Sequence, residues 1–256
     1  MSKYKNTQFT VLSEYYDRLN GADHKRYAEF VKKIFKKHGS GTENLVLDLA
    51  CGTGTLTHEL AQLGYDMIGA DISPDMLMVA TQNAIKNGDN ILYICQDMRD
   101  FELYGTVSAI VSALDGINYL TERADVVKCF KTVKNYLDPN GLFIFDINSP
   151  YRFKEVLAKH DYFLEGDGVY LGWKNSYHPI KGICEFYLTL FIEDEDGAYI
   201  KREEVQTEKI WKRSDIEEML LEAGLELIEV YSDFDLTPAG ENDEKWYFVT
   251  RCPFDK

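Results

Sequence analysis

Apolar positions in the first 150 residues come in short unbroken runs separated by longer stretches of helical period. The runs are NLVLDL from Asn44, YDMIGADI from Tyr65, ILYIC from Ile91, TVSAIVSAL from Thr106 and GLFIFDIN from Gly141. Runs of this length, apolar on successive positions, predict strands buried on both faces. Between them lie LTHELAQLG, SPDMLMVATQNAIKNG and TERADVVKCFKTVKNYL, whose apolar residues recur every three or four positions. Ser73 and Pro74 read as an N-cap and first helical residue, and Gly64 and Gly88 as helix ends. Strands alternating with helices predict an α/β fold with a doubly wound, mostly parallel sheet. Ahead of them, residues 8–38 predict two helices, QFTVLSEYYDRL and HKRYAEFVKKIFKKH, the second stopping at Gly39–Ser40–Gly41.

From Tyr151 the period changes. After a short helix, VYLGWKNSYH, GICEFYLTLFIE and YIKREEVQTEKIWK alternate with period two and are joined by turns such as EDEDG. They predict an antiparallel β platform over one edge of the main sheet. SDIEEMLLEAG is then a helix, LELIEVYSDF a sixth strand of the main sheet and EKWYFVTRC a seventh.

The chemistry concentrates at the first strand–helix junction, DLACGTGTLT from Asp48. A strand, a turn of small residues and a helix N-terminus hold a polar ligand against backbone N–H groups. Gly52 and Gly54 allow close backbone approach around Ala50. A dinucleotide fold wants a third glycine where Thr57 stands, and Asp48 would repel a pyrophosphate. That argues against a nicotinamide dehydrogenase. An acid there suits a ligand with an ammonium group and no phosphate, such as S-adenosylmethionine. Asp71, at the tip of the second strand and followed by Ile72, is placed to accept two ribose hydroxyls.

DLACGTGTLT, ADISPDML and GLFIFDINS together resemble the class I S-adenosylmethionine-dependent methyltransferases, small bacterial members of unassigned substrate in particular. The resemblance is strong from Val46 to Asn148. It implies a Rossmann-like seven-stranded sheet with an antiparallel last strand and an inserted antiparallel β platform. Residues 1–40 would then be helices closing over the cofactor, 41–150 and 213–256 the core, and 151–212 an inserted substrate lid. By the same likeness Tyr16 and Tyr27 face the site, Asp97 bonds the adenine amino group and Met98 lies at the ring edge. Leu114, in the loop after the fourth strand, lies beside the transferable methyl. The cofactor set is therefore Tyr16, Asp48, Ala50, Gly52, Gly54, Asp71, Ile72, Asp97, Met98 and Leu114.

Candidate bases are Asp115 and His178, with Asn118 and Tyr119 as groups that orient the acceptor. The sequence does not single out one of them. The motif of base-directed amino methyltransferases is absent, Leu114–Asp115–Gly116–Ile117 standing in its place.

Composition narrows the acceptor. The 256 residues carry a net charge of −15, which repels phosphate backbones. KKIFKKH from Lys32 reads as the solvated face of a helix rather than a binding patch. No apolar run approaches the roughly 20 residues of a membrane span, and MSKYKNTQFT lacks the apolar core of a signal peptide. The five scattered cysteines and dispersed histidines give no metal-site spacing and fit a reduced compartment. Cys51 reads as filler under the turn. The expectation is a cytoplasmic enzyme that binds S-adenosylmethionine, uses no metal, and methylates O or N of a small molecule. RNA or protein methylation, and non-catalytic binding of the cofactor, are the alternatives.

Overall fold

The computed structural model describes residues 9–39 and 44–254. Ser40 and Gly41, two of the three residues expected to stop the second helix, and the start of the first expected helix lie outside those residues. After two N-terminal helices, α1 (Tyr16–Leu19) and α2 (His24–His38), the chain enters β1 (Leu45–Leu49), α3 (Thr55–Gln62), β2 (Asp66–Asp71), α4 (Pro74–Asn87) and β3 (Leu92–Cys95). There follow β4 (Val107–Ser112), α5 (Arg123–Tyr136) and β5 (Leu137–Asn148). A second sheet is built from β6 (Tyr162–Gly166), β7 (Val169–His178), β8 (Ile183–Glu193) and β9 (Tyr199–Lys209). The chain then returns through α6 (Arg213–Ala223), β10 (Glu226–Tyr231) and β11 (Lys245–Arg251).

The main sheet has seven strands in the order β10-β11-β5-β4-β1-β2-β3. β1 to β5 are parallel, and β11 runs antiparallel between β5 and β10. Successive residues of each central strand face opposite layers. Phe143, Phe145 and Ile147 of β5 pack under α5 and α6, while Leu142 and Ile144 pack under α2 and α3. β11 follows the same rule: Phe248 stacks on Phe145, its register partner, with ring centroids 4.9 Å apart. Two-sided burial explains why these strands read as unbroken apolar runs.

The second sheet is covered on one face only. Cys184, Phe186, Leu188 and Leu190 of β8 are buried, and Tyr187 and Phe191, on the opposite face, are exposed. β6 was not visible in the sequence; Tyr162–Gly166 is short and pairs only with β7.

The first expected helix is corrected to four residues. Residues 9–15 form turns and bends, because their backbone N–H groups are satisfied elsewhere. The N–H groups of Phe9, Val11 and Leu12 donate to the carboxylate of Glu204 on β9. This segment is a strap across the junction of the two sheets rather than a helix. Among the described residues no helix is long and apolar enough to cross a membrane.

Candidate functional site

The carboxyl ends of β1, β2, β3 and β4 open on a common crevice, where ligands bind in open parallel sheets. Four strand ends meet there through Ala50, Ile72, Met98 and Leu114. Ala50 leaves β1 at φ 62°, and Leu114 and Asp115 leave β4 at φ 56° and 60°. Left-handed backbone at three residues with a Cβ is costly, and such strain gathers at ligand clamps.

The inner crevice is a cavity of about 160 Å³ lined by Asp48, Ala50, Gly52, Asp71, Ile72, Met98, Leu114 and Tyr16, among others. Eight of the ten residues expected to hold the cofactor thus share one wall. Asp48 is buried at its floor and accepts a hydrogen bond from the Thr57 hydroxyl at 2.6 Å. Burial pushes its carboxyl up to about 7; the Thr57 bond opposes this and the Asp71 charge adds to it. Asp71 is also raised by burial. Its two oxygens accept the N–H groups of Gly52 at 2.9 Å and Ser73 at 2.8 Å, so it shapes the turn as well as facing the crevice. A Cβ added at Gly52 would meet nothing within 4 Å.

Gly54 and Asp97 lie outside the inner crevice. Gly54 sits at φ 74°, and a Cβ there would lie 2.3 Å from the Tyr93 hydroxyl. Its role is packing beneath the turn. Asp97 lines an outer cavity of about 710 Å³, which shares Ala50, Asp71, Ile72, Met98 and Tyr119 with the inner one. Both Asp97 oxygens are engaged by Arg99, through its backbone N–H at 2.9 Å and its guanidinium. Against the cost of burial, those bonds hold the Asp97 carboxyl below its usual range.

A third cavity, of about 510 Å³, lies under the second sheet and shares Phe9, Tyr16, Leu114 and Tyr119 with the inner crevice. Its walls are mostly apolar, from Leu12 and Leu19 of the N-terminal segment and Leu171, Trp173, Phe186 and Leu188 of the second sheet. Asp115, Glu208, Gln206 and Lys245 are among its polar lining groups, with Asn20 and Arg152. Lys245 lies 2.5 Å from Asp115 and 2.7 Å from the fully buried Asp146. Asp146 also accepts the Tyr27 hydroxyl at 2.9 Å and the N–H groups of Leu114 and Asp115 at 2.7 and 3.1 Å. The left-handed loop is therefore held by Asp146 and locked by Lys245.

These contacts redistribute the candidate bases. Burial would raise Asp115, but the Lys245 charge outweighs it and keeps Asp115 ionised, a weak proton acceptor. Asn118 is buried; its amide bonds Lys209 and Asn148 backbone oxygens, and its oxygen accepts the Asn148 N–H at 2.9 Å. It ties the end of β5 to β9 and has no group left for an acceptor. His178 lies outside these three cavities, with Glu185 at 2.8 Å and Ser176 at 3.0 Å from its ring. Tyr119 alone of the four borders all three cavities, its hydroxyl donating to Gln206 at 3.0 Å. Tyr27 is buried on Asp146 and behind the crevice rather than in it. Burial pushes the Cys51 thiol well up, so it stays protonated beside the turn.

Sequence reasoning missed Phe9, Glu204, Gln206, Glu208 and Lys245. The only signal available was Glu204, Gln206 and Glu208 at strand period in β9, which a half-buried strand normally turns to solvent.

Residues 46–141 match the family described as Methyltransferase domain. A protein of Geobacillus sp. (strain WCH70), named as a candidate methyltransferase, is 27% identical over 93% of this chain and 96% of its own length. A solved S-adenosylmethionine-dependent methyltransferase from Clostridium acetobutylicum is 27% identical and superposes with a TM-score of 0.85, covering 96% of this chain and all of that one. Together these matches support a class I S-adenosylmethionine-dependent methyltransferase, with its methyltransferase domain over residues 46–141. Within this methyltransferase the strand order and the single antiparallel strand β11 follow the expected sheet. A Streptomyces fradiae relative, named as a dTDP-3-amino-3,6-dideoxy-α-D-glucopyranose N,N-dimethyltransferase, is 29% identical over 56% of this chain and 54% of its own.

Proposed function

We propose that this methyltransferase transfers a methyl group to nitrogen or oxygen of a small organic acceptor held under the second sheet. The observation that carries this reading is the shared wall: Phe9, Tyr16, Leu114 and Tyr119 border both the inner crevice and the lid cavity. A cavity of about 510 Å³ suits a small molecule. The relative named for an amino-sugar acceptor supports the same class.

The inner crevice fits S-adenosylmethionine in its donor set. Asp48 would pair with the ammonium, Asp71 would accept ribose hydroxyls, and Ile72 and Met98 would flank the base. Bound there, the cofactor supplies an electrophilic methyl on a sulfonium. The chain's own work is to align the acceptor and exclude water, and alignment alone is worth about 7–11 kcal/mol of barrier. The strap, α1 and the lid close the crevice; the Asp17 carboxylate accepts the Thr53 hydroxyl of the turn at 2.6 Å.

The test is calorimetric titration with S-adenosylmethionine and S-adenosylhomocysteine, followed by radiolabelled methyl transfer into a small-molecule extract. Micromolar binding and label in low-mass products are expected. Label confined to RNA or protein would overturn the acceptor class, and no binding of either ligand would overturn the assignment of the crevice.

A further inference from the structure

Among the described residues, Glu208 is the carboxyl on the lid cavity's lining that no cation bonds. It projects from β9, is buried, and accepts the Asn148 amide at 3.0 Å. Lys245, the nearby cation, is committed to Asp115 and Asp146. The Arg152 guanidinium is bound to Glu244 at 2.6 Å. The side chains that act on Glu208 come from every neighbouring element: Asp115 after β4, Tyr119 in the turn beyond it, Asn148 of β5 and Lys245 of β11. Cys184 of β8 and Tyr16 of α1 feel its charge in turn. Two carboxyls, Asp115 and Glu208, meet on the lining of the lid cavity, and only the first is bonded to a cation.

A second feature of the same cavity points to a ligand. Three buried donor atoms on its lining, Asn20 Nδ2, Arg152 Nε and Trp173 Nε1, have no hydrogen-bond partner among the described residues. Buried donors are normally paired, so their partners are expected from the occupant. An occupant that meets them carries acceptor oxygens.

We propose that the acceptor is a primary or secondary amine on a largely apolar frame bearing at least one hydroxyl or ether oxygen, and that Glu208 takes the proton from its ammonium. This rests on the methyltransferase reading of the adjoining crevice. The ammonium enters as the missing cation for Glu208. The ammonium first displaces to solvent the proton that the raised Glu208 carboxyl holds; an N–H proton then passes to the freed Glu208 oxygen, leaving a neutral amine with a free lone pair. That lone pair forms the N–C bond to the methyl carbon as the carbon–sulfur bond breaks, its electrons remaining on sulfur; the product amine carries the positive charge.

Burial and the Asp115 charge raise the Glu208 carboxyl well above its usual range, against the pull of the Asn148 amide and Lys245. That direction brings the carboxyl closer to an amine in proton affinity, and transfer between matched groups is easier. Asp115 cannot serve, since Lys245 holds it ionised. The Tyr119 hydroxyl is committed to donating to Gln206.

The probes are 2-amino-1-phenylethanol and its diol counterpart, 1-phenylethane-1,2-diol, titrated into the full chain saturated with S-adenosylhomocysteine. Binding of S-adenosylhomocysteine itself is measured first, so failure of the crevice assignment is seen separately. Titration in two buffers of different ionisation enthalpy counts protons on the unaltered protein. The amine is expected to bind more tightly than the diol and to release a proton as it binds at neutral pH. Glu208→Gln, checked for folding by unchanged S-adenosylhomocysteine affinity, is expected to weaken the amine by about tenfold or more and to leave the diol unchanged. Glu208→Asp is expected to recover part of the amine affinity. Equal binding of amine and diol, amine binding without proton release, or no amine binding at millimolar concentration would each overturn the proposal.

Discussion

The Glu204 carboxylate on β9 accepts the backbone N–H of Phe9, 195 residues earlier, at 2.7 Å. The same side chain takes the N–H groups of Val11 and Leu12, and the Gln206 amide braces it at 2.7 Å. One carboxylate thereby does for the strap what a helix would do with its own carbonyls. Because Phe9 and Tyr16 border both cavities, Glu204 sets how the site closes. Glu204→Ala leaves three N–H groups without that partner, each worth about 1–3 kcal/mol if it stays buried. Release of the strap is the cheaper outcome. The expected result is S-adenosylhomocysteine dissociating about tenfold faster, with new proteolytic cleavage between residues 9 and 22 and little change in the melting of the main sheet. An unchanged dissociation rate would show that the strap does not gate the crevice.

Asp48 gives stability and binding opposite dependences on pH. Its folded-state carboxyl is raised to about 7 by burial, above the value of an unfolded aspartate. Between those two values the folded chain holds a proton that the unfolded chain has lost. Stability therefore falls as pH rises from about 4 to 7 and levels off above, by up to about 4 kcal/mol from this group. An ammonium ligand wants the ionised form, so its affinity rises about tenfold per pH unit toward 7. Asp48→Asn is expected to flatten both curves and to be more stable than the parent at pH 8. Chemical denaturation and calorimetry across pH 5–8 check the pair; parallel curves for parent and variant would remove Asp48 from the account.

How much of this could be read from the sequence depends on the distance over which each feature is encoded. The turn from Asp48 to Thr55 and the acid at Asp71 are local patterns, and both proved to line one crevice. The partners of the second sheet and of the loop after β4 are not local. Asp115 looked like a free base because Lys245, which neutralises it, lies 130 residues away. Glu204, Gln206 and Glu208 give no sign in the sequence of facing inward, since an inward polar row is indistinguishable from an outward one until the cavity is known. Tyr16 fell on the site, but the helix expected around it shrank to four residues because Glu204 competes for the backbone.

Lys245 is the keystone of the loop after β4. Its ammonium joins Asp115 to Asp146, and Asp146 holds the left-handed residues Leu114 and Asp115 by their N–H groups. Lys245→Met leaves two carboxylates facing each other in a buried setting. Removing one partner from such a pair costs about 3–5 kcal/mol. The expected variant melts well below the parent at neutral pH and recovers in part as pH falls and a carboxyl protonates. Asp115→Asn, which keeps the shape and one acceptor, is expected to cost less. If Lys245→Met were as stable as Asp115→Asn, the loop would not depend on the cation.

His178 and Asn118 separate a surface residue from a structural one. His178→Ala removes contacts to Ser176 and Glu185 at a partly exposed site, worth about 0–1 kcal/mol. No change in S-adenosylhomocysteine affinity is expected. Asn118→Ala strips the Asn148 N–H and the Lys209 carbonyl of a fully buried partner, at about 1–3 kcal/mol for each unpaired group. Thermal denaturation with and without ligand distinguishes them, and a stability loss in His178→Ala exceeding that in Asn118→Ala would reverse the assignment.

The two glycines of the turn answer to different demands. Both have left-handed φ, 55° at Gly52 and 74° at Gly54, so alanine at either costs about 1 kcal/mol in backbone strain. Beyond that they diverge. At Gly54 the new methyl would lie 2.3 Å from the Tyr93 hydroxyl and 3.1 Å from Ala80, an overpacked position costing a further 1–3 kcal/mol, roughly. At Gly52 it would enter open space on the crevice wall, where nothing in the protein resists it. Gly54→Ala should therefore lower the melting temperature of the free protein. Gly52→Ala should leave melting nearly intact and instead weaken S-adenosylhomocysteine by about tenfold or more, because the methyl occupies the ligand's place. Shortening Tyr93 to Ala should rescue Gly54→Ala in part, through relief of the clash, and do nothing for Gly52→Ala. Equal loss of ligand affinity in both variants would mean that Gly54, too, meets the ligand, against its position beneath the turn.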